Sequence, residues 1–295
     1  MVTMKITPEC VPCLLNRIIF EANLSTTEKR VQTQVIRSAC SMLGSLYNPQ
    51  SCSAEIATKV HKKTYEILGN SDPYKELKSE SNRIASSLIP AVKKKIQESD
   101  YPLKTAILDS IVGNTLDFGI QGASKDPDEL RDVFEQIFDE GFGYDDMQQL
   151  SSSLQESSSI LYFTDNCGEI VFDKLVCEQL KKEFSHLSIN LVVKGEPVLS
   201  DATIEDAEEL GFDRVVDHVF TTGGFAVGVD VDMLPKRVKS MIESVDLIMC
   251  KGMANYESLS ETTLHPIVYL LRSKCKPIAS SMDVPLHANI VKMYD

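Results

Sequence analysis

The distribution of apolar positions divides the chain near its middle. From residue 12 to about 145, apolar side chains recur at helical spacing: Leu14, Leu15, Ile18, Ile19 and Ala22 form one stripe, and Val31, Val35, Ile36 and Leu43 repeat the habit. Turn signals at Asn48-Pro49-Gln50-Ser51 and Asn70-Ser71-Asp72-Pro73 bound further helices over 53–68 and 74–99. Strand-like alternation is scarce in this half, which predicts a helical bundle or cap. Serines at 151–153 and 157–159 flank Leu154-Gln155-Glu156 as a turn-prone junction. The pattern therefore divides into an all-helical domain at 1–150 and a second domain at 151–295.

Beyond the junction the period changes. Apolar runs suited to buried strands fall at 160–164, 189–193, 214–219, 247–250 and 267–271, with helical patterns from Ile170, Ile204, Leu234 and near Leu259 between them. A last piece, 287–293, reads as an antiparallel edge strand. Strands alternating with helices predict an α/β fold: a mostly parallel, Rossmann-like sheet in a three-layer α/β/α arrangement. No repeat of fixed period is visible. No GxGxxG follows the first of these strands, which disfavours a nicotinamide or flavin site.

Composition narrows the classes. At 295 residues and 43% hydrophobic content, the chain can fill one large core or two ordinary ones. No apolar run approaches the roughly 20 residues of a membrane helix, and Met1-Val2-Thr3-Met4-Lys5 lacks the apolar core of a secretory signal. A cytoplasmic protein without a membrane partner is expected. The formal charge of −13 argues against a general nucleic-acid binder, because phosphate backbones reward a basic surface. A few lysines and helix ends can still hold a phosphate locally. The eight cysteines read as reduced thiols. Cys10-Val11-Pro12-Cys13 is the only close pair, and a redox pair, half of a metal site and buried structural thiols all fit it. The sequence sets no oligomeric state.

The candidate chemistry lies at strand ends. The run Ile160-Leu161-Tyr162-Phe163 turns through Thr164-Asp165-Asn166-Cys167-Gly168-Glu169 into a helix, which puts Asp165 and Asn166 at the carboxyl edge of the sheet, where open α/β proteins bind ligands. Lys194 to Asp201 follow the next strand, and Lys251-Gly252-Met253-Ala254-Asn255 follow a third. In a parallel sheet all three turns share one edge. Asp165, Asn166 and Asp201 then form a set of hard oxygen ligands for one divalent ion, while Lys194 and Lys251 suit a phosphate. Each residue has a plainer alternative: Asp165 and Asp201 as helix caps, Glu169 as a first-turn acid, Lys194 and Lys251 as solvated lysines, Asn255 as a turn stabiliser.

Taken together with Pro8-Glu9-Cys10-Val11-Pro12-Cys13, Asp72-Pro73-Tyr74-Lys75-Glu76, Gly113-Asn114 with Asp117, Ser200-Asp201 and Lys274-Cys275, these residues resemble the metal-dependent damage-control phosphatases. The resemblance is to the stand-alone microbial branch, marked by an N-terminal CxxC and archaeal-like, and it runs over essentially the whole chain. It implies a helical domain on a three-layer α/β/α domain. It implies a metal held by Asp165, Asn166 and Asp201, with one divalent ion (Mn²⁺, Mg²⁺, Ni²⁺ or Co²⁺) as cofactor. Contacts to a small phosphorylated metabolite, such as a sugar phosphate or a damaged nucleotide or cofactor intermediate, carry over to Glu169, Lys251, Asn255 and Lys274. Gly113 to Asp117 read as a helix, where Asn114 and Asp117 share a face toward the cleft. Helix-to-domain hydrogen bonding is their alternative role.

The reaction expected is metal-assisted hydrolysis of a phosphomonoester by water. An aspartyl-phosphate route is chemically available, but the DxDx(T/V) pattern that accompanies it in haloacid-dehalogenase phosphatases is absent after Asp165. Two other classes fit the same pattern: a methyltransferase or other nucleotide-binding enzyme, and a metal- or metabolite-binding protein without turnover.

Overall fold

Alternate residues of the central strands serve two different cores, as the period-2 direction of strand side chains requires. The computed structural model, which describes residues 4–116 and 127–295, shows this in β2 (Ser159–Phe163) and β5 (Leu247–Lys251). Ile160, Tyr162, Leu247 and Met249 face one apolar cluster. Leu161, Phe163, Ile248 and Cys250 face the other. Both faces are covered, so the strands read as continuous apolar runs.

Seven strands form one sheet in the order β1-β7-β6-β5-β2-β3-β4. The others are β1 (Phe142–Asp145), β3 (Ser188–Val193), β4 (His218–Thr221), β6 (Ile267–Arg272) and β7 (Asn289–Tyr294). β6, β5, β2, β3 and β4 are mutually parallel, and β7 runs antiparallel to β6. The expected antiparallel strand is present but is not the edge, because β1 pairs outside it.

One helical layer comprises α4 (Lys75–Glu98), α5 (Pro102–Gly113), α6 (Pro127–Asp139), α7 (Met147–Glu156) and α8 (Glu169–Glu183). The opposite layer holds α10 (Lys236–Ile242), α11 (Gly252–Leu259) and α12 (Lys276–Met282). The short α9 (Ile204–Glu209) joins β3 to β4. Ahead of them, α1 (Cys10–Ser25), α2 (Lys29–Leu46) and α3 (Ser53–Leu68) enclose their own apolar cluster around Ile18, Val35 and Val60. Among the described residues no helix is long and apolar enough to cross a membrane.

Several elements depart from the sequence pattern. Residues 142–145 are a strand inside the half read as helical. The serines at 151–153 lie within α7, because Leu150 and Leu154, one helical turn apart and both fully buried, anchor that helix. β4 begins at His218 because Phe212–Arg214 closes a short 3-10 turn. α11 starts at Gly252, directly from β5, and ends at Leu259, where the sequence pattern expects a helix. The expected helix through Asn114 stops at Gly113, and Asn114–Leu116 is a 3-10 turn.

Candidate functional site

The chain passes from β2 to β3 on one side, while β5 lies on the other side of β2, so the strand order reverses between β2 and β5. At such a switch point the connections diverge and leave a crevice at the carboxyl ends. Asp165 and Asn166 follow β2 there, Lys194 follows β3, and Lys251 ends β5.

Neither acid is a helix cap. Gly168, at φ 83, precedes α8, and Thr203 caps α9 in a reciprocal pair with Asp206. Asp165 and Asp201 are instead 5% and 3% exposed within the crevice. Asn166 and Asp201 pair across an isolated antiparallel bridge. Two backbone hydrogen bonds flank it, Cys167 N–H to Ser200 O and Ala202 N–H to Asp165 O, both 2.8 Å. Directly paired antiparallel residues carry their side chains on one side, with Cβ atoms about 4.5–5.5 Å apart. The turn after β2 and the loop after β3 thus bring three oxygen-bearing side chains together.

Hydrogen bonds fix their orientation. Asn166 Nδ2 donates to Asp165 Oδ2 at 2.8 Å, and the Ser200 hydroxyl donates to Asn166 Oδ1 at 2.8 Å. The Lys194 ammonium lies 3.3 Å from the Asp201 carboxylate and donates to Gly228 O. Asn114 Nδ2, at the end of α5, donates to Asp165 Oδ2 at 3.1 Å and to Glu169 Oε2 at 2.6 Å. The Lys274 ammonium donates to Asn114 O at 2.9 Å and also to Asn114 Oδ1. Asn255 Nδ2 donates to Thr164 O at 2.9 Å and Lys251 O at 2.8 Å, tying the ends of β2 and β5 together. The buried Asn255 Oδ1 accepts no hydrogen bond from the described residues.

Lys251 sits deeper than a solvated lysine or a direct phosphate contact would. Its ammonium is fully buried and donates to Glu169 Oε1 at 2.7 Å, to Asp173 Oδ1 at 2.9 Å and to the Ser110 hydroxyl. Asp173 Oδ1 also accepts from Ser110 at 2.6 Å and from the Tyr162 hydroxyl at 2.9 Å. Lys251 therefore underpins Glu169. Burial opposes its charge, yet Asp173 and Glu169 outweigh that and hold the ammonium above its ordinary range.

The electrostatics are those of crowded buried acids. Burial pushes the Asp165 carboxyl well above the usual carboxylate range; the charges of Asp201 and Glu169 add to this, and Lys194 and Lys274 oppose it. Glu169 is raised by burial, against which Lys251 pulls most strongly. Hard oxygens on two carboxylates and an amide, backed by a third acid, suit a divalent cation of the Mg²⁺ or Mn²⁺ kind. Among the described residues no three His, Cys, Asp or Glu side chains stand together as metal ligands, so the fit rests on the Asp165, Asn166 and Asp201 set with its amide.

Of the sequence candidates, Asp165, Asn166, Asp201, Glu169, Lys194, Asn114 and Lys274 meet in one connected network, which Lys251 supports from the end of β5 and Asn255 from the first turn of α11. Asp117 lies outside the described residues. Cys10 and Cys13 stand apart from the acids, as free thiols at the start of α1. Asp173 and Asn82 stand outside the sequence motifs, and Ser200 and Gly252 stand inside them without an assigned role. Ser200 orients Asn166, and Asp173 completes the Lys251 pocket. Asn82 Oδ1 accepts the Gly168 N–H at 2.7 Å, and Gly252 gives the Asp165 carboxylate room. Of the two outside the motifs, Asp173, four residues after Glu169 on the apolar face of α8, carries a readable signal. Tyr65 adds support from α3: its hydroxyl accepts the Leu199 N–H at 3.1 Å, where Leu199 takes a left-handed φ of 50 just before Ser200.

A doubly wound α/β sheet with a buried cluster of acids and lysines at its switch point defines the class as a ligand-binding or catalytic α/β protein. More narrowly, the chain belongs to the damage-control phosphatase ARMT1-like domain family, whose pattern matches residues 6–290. It is 39% identical over 292 residues to a damage-control phosphatase of Archaeoglobus fulgidus, covering 99% of this chain and all of that one. It is 30% identical over 282 residues to a damage-control phosphatase of Pyrococcus horikoshii, with 96% of each covered. The crystal structure of a DUF89 family protein from P. horikoshii superposes with a TM-score of 0.88 at 28% identity, over 98% of this chain and 99% of that one.

Proposed function

We propose that this protein is a metal-dependent phosphatase that hydrolyses phosphomonoesters of small metabolites, sugar phosphates or damaged nucleotide and cofactor intermediates among them. The observation that carries the reading is the meeting of Asp165, Asn166 and Asp201 across the Asn166–Asp201 bridge at the switch point. The names of the Archaeoglobus and Pyrococcus relatives support the reaction class.

Asp165, Asn166 and Asp201 would hold one divalent ion of the Mn²⁺, Mg²⁺, Ni²⁺ or Co²⁺ series, which when bound supplies a Lewis acid for a phosphoryl oxygen and lowers the pKa of water. The remaining work falls to the chain. Lys194 and Lys274 bring positive charge to the rim of the acid cluster, where a transferring phosphoryl group spreads negative charge. Asn114 and Asn166 fix the Asp165 carboxylate by donating to its Oδ2. Lys251 fixes Glu169, so that its second oxygen stays on Asn114. Burial of every one of these acids excludes water and strengthens each charge interaction.

The test is phosphate release from sugar phosphates, nucleotides and an aryl phosphate, with each metal against a chelator, comparing the parent with Asp165→Asn. Release that needs metal and falls at least about 100-fold in the folded variant is the expected result. A well-folded, metal-loaded parent that releases no phosphate across the panel would overturn the reading.

A further inference from the structure

We propose that a second cavity, bounded by α1, α3, α11 and α12, receives the organic leaving group of the phosphomonoester and favours an aromatic one. The proposal rests on the phosphatase reading above.

α11 and α12 begin at the carboxyl ends of β5 and β6, the edge that carries Asp165. The cavity wall includes Met253 and Lys274. Met253 follows Gly252, whose backbone lies against the Asp165 carboxylate. The Lys274 ammonium bonds Asn114, which bonds Asp165. One residue on each side therefore links this cavity to the acid cluster.

The cavity volume is about 520 Å³, inside the roughly 300–1,000 Å³ range of small-molecule sites. Cys10, Cys13, Phe20, Met253 and Cys275 put sulfur and an aromatic ring on its wall, beside the polar Asn16 and Arg17. Thiols and thioethers are weak hydrogen-bond partners, but they make favourable contacts with aromatic rings. The Glu257 carboxyl on the same wall is taken by the Ser53 hydroxyl. Burial also pushes that carboxyl upward, which favours its neutral form.

This gives the CxxC pair a role. Cys10 and Cys13 are three residues apart on α1, so both thiols fall on one helix face, and that face lines the cavity. In the reaction, a water oxygen bonds phosphorus as the ester P–O bond breaks. One water proton passes to the leaving oxygen and the other stays on phosphate, so the aromatic alcohol departs neutral into the cavity.

Two measurements test this. In the first, Cys13→Trp is made to fill the cavity, and kcat/KM is compared for phenyl phosphate and glycerol 3-phosphate. The expected result is a fall of about tenfold in the phenyl-to-glycerol ratio, carried by KM. A ratio within about twofold of the parent overturns the proposal. In the second, the unmutated protein is labelled with N-ethylmaleimide with and without metal and benzylphosphonate, a non-hydrolysable isostere of phenyl phosphate, and Cys13 is followed by peptide mapping. Protection of Cys13 is expected, and unaltered labelling counts against the cavity. Protection without hydrolysis of either ester would sink the phosphatase reading and leave the cavity standing. Hydrolysis of both esters without protection would do the reverse.

Discussion

The Asp165 carboxylate lies against the backbone of Gly252: a Cβ at position 252 would stand 1.8 Å from Asp165 Oδ2 and 2.2 Å from its Cγ. Gly252 also takes φ +73, a conformation that side chains rarely adopt. The first turn of α11 therefore sets where the β2 acid can sit. Gly252→Ala should displace the Asp165 carboxylate from Asn114 and Asn166 and lower phosphatase kcat by at least about 100-fold, with weaker Mn²⁺ or Mg²⁺ binding by calorimetry. The fold should survive, because the strain is local and on the order of 1–3 kcal/mol. A variant with parental activity would mean that the carboxylate position does not matter to the reaction.

Lys251 predicts a stability effect as well as an activity effect. Its ammonium holds Glu169 and Asp173 together with no solvent access. Lys251→Met keeps most of the side-chain volume but leaves two buried acids without their cation, a change that costs about 3–5 kcal/mol when one partner of a buried pair is removed. Urea unfolding should show that loss, and Asp173→Asn added to Lys251→Met should recover part of it by removing one unpaired charge. If the single variant is as stable as the parent, the pocket needs no cation.

The strands that frame the site were legible because they are buried on both faces. β2, β5 and β6 appear as apolar runs, β3 as one interrupted by the buried Asn190, and the polar residues just past them stand out as the carboxyl edge. β1 was not legible: four residues with alternate side chains exposed have no strand character until β7 supplies a partner. Serines hid α7, whose apolar contribution rests on a few anchors such as Leu150 and Leu154. At the site, Asp165, Asn166 and Asp201 were readable from their strand ends. The structure settles their alternative as caps by giving the capping positions to Gly168 and Thr203. The depth of Lys251 was not readable, because Ser110 and Asp173 reach it from α5 and α8, far away in sequence. Long-range packing decides such roles, and local spacing carries no trace of it.

Asp109 makes stability depend on pH in the unusual direction for an acid. It is fully buried in α5 and ion-paired with Lys95. Burial pushes its carboxyl up to about 7, against the pull of the Lys95 charge. An unfolded aspartate titrates near about 3.9, so between roughly pH 4 and 7 the folded chain holds this proton and the unfolded chain does not. The stabilisation is fully present below the unfolded value and is lost as pH rises through about 7. It amounts to at most about 4 kcal/mol. Asp109→Asn should flatten that part of the profile, so that urea unfolding at about pH 5 and pH 8 differs less in the variant than in the parent. Lys95 can accept the change: its side chain is 32% exposed, and its ammonium also rests over the Phe138 ring, 3.3 Å from the centroid. Equal pH slopes in parent and variant would mean that Lys95 keeps Asp109 ionised through this range and that burial does not prevail.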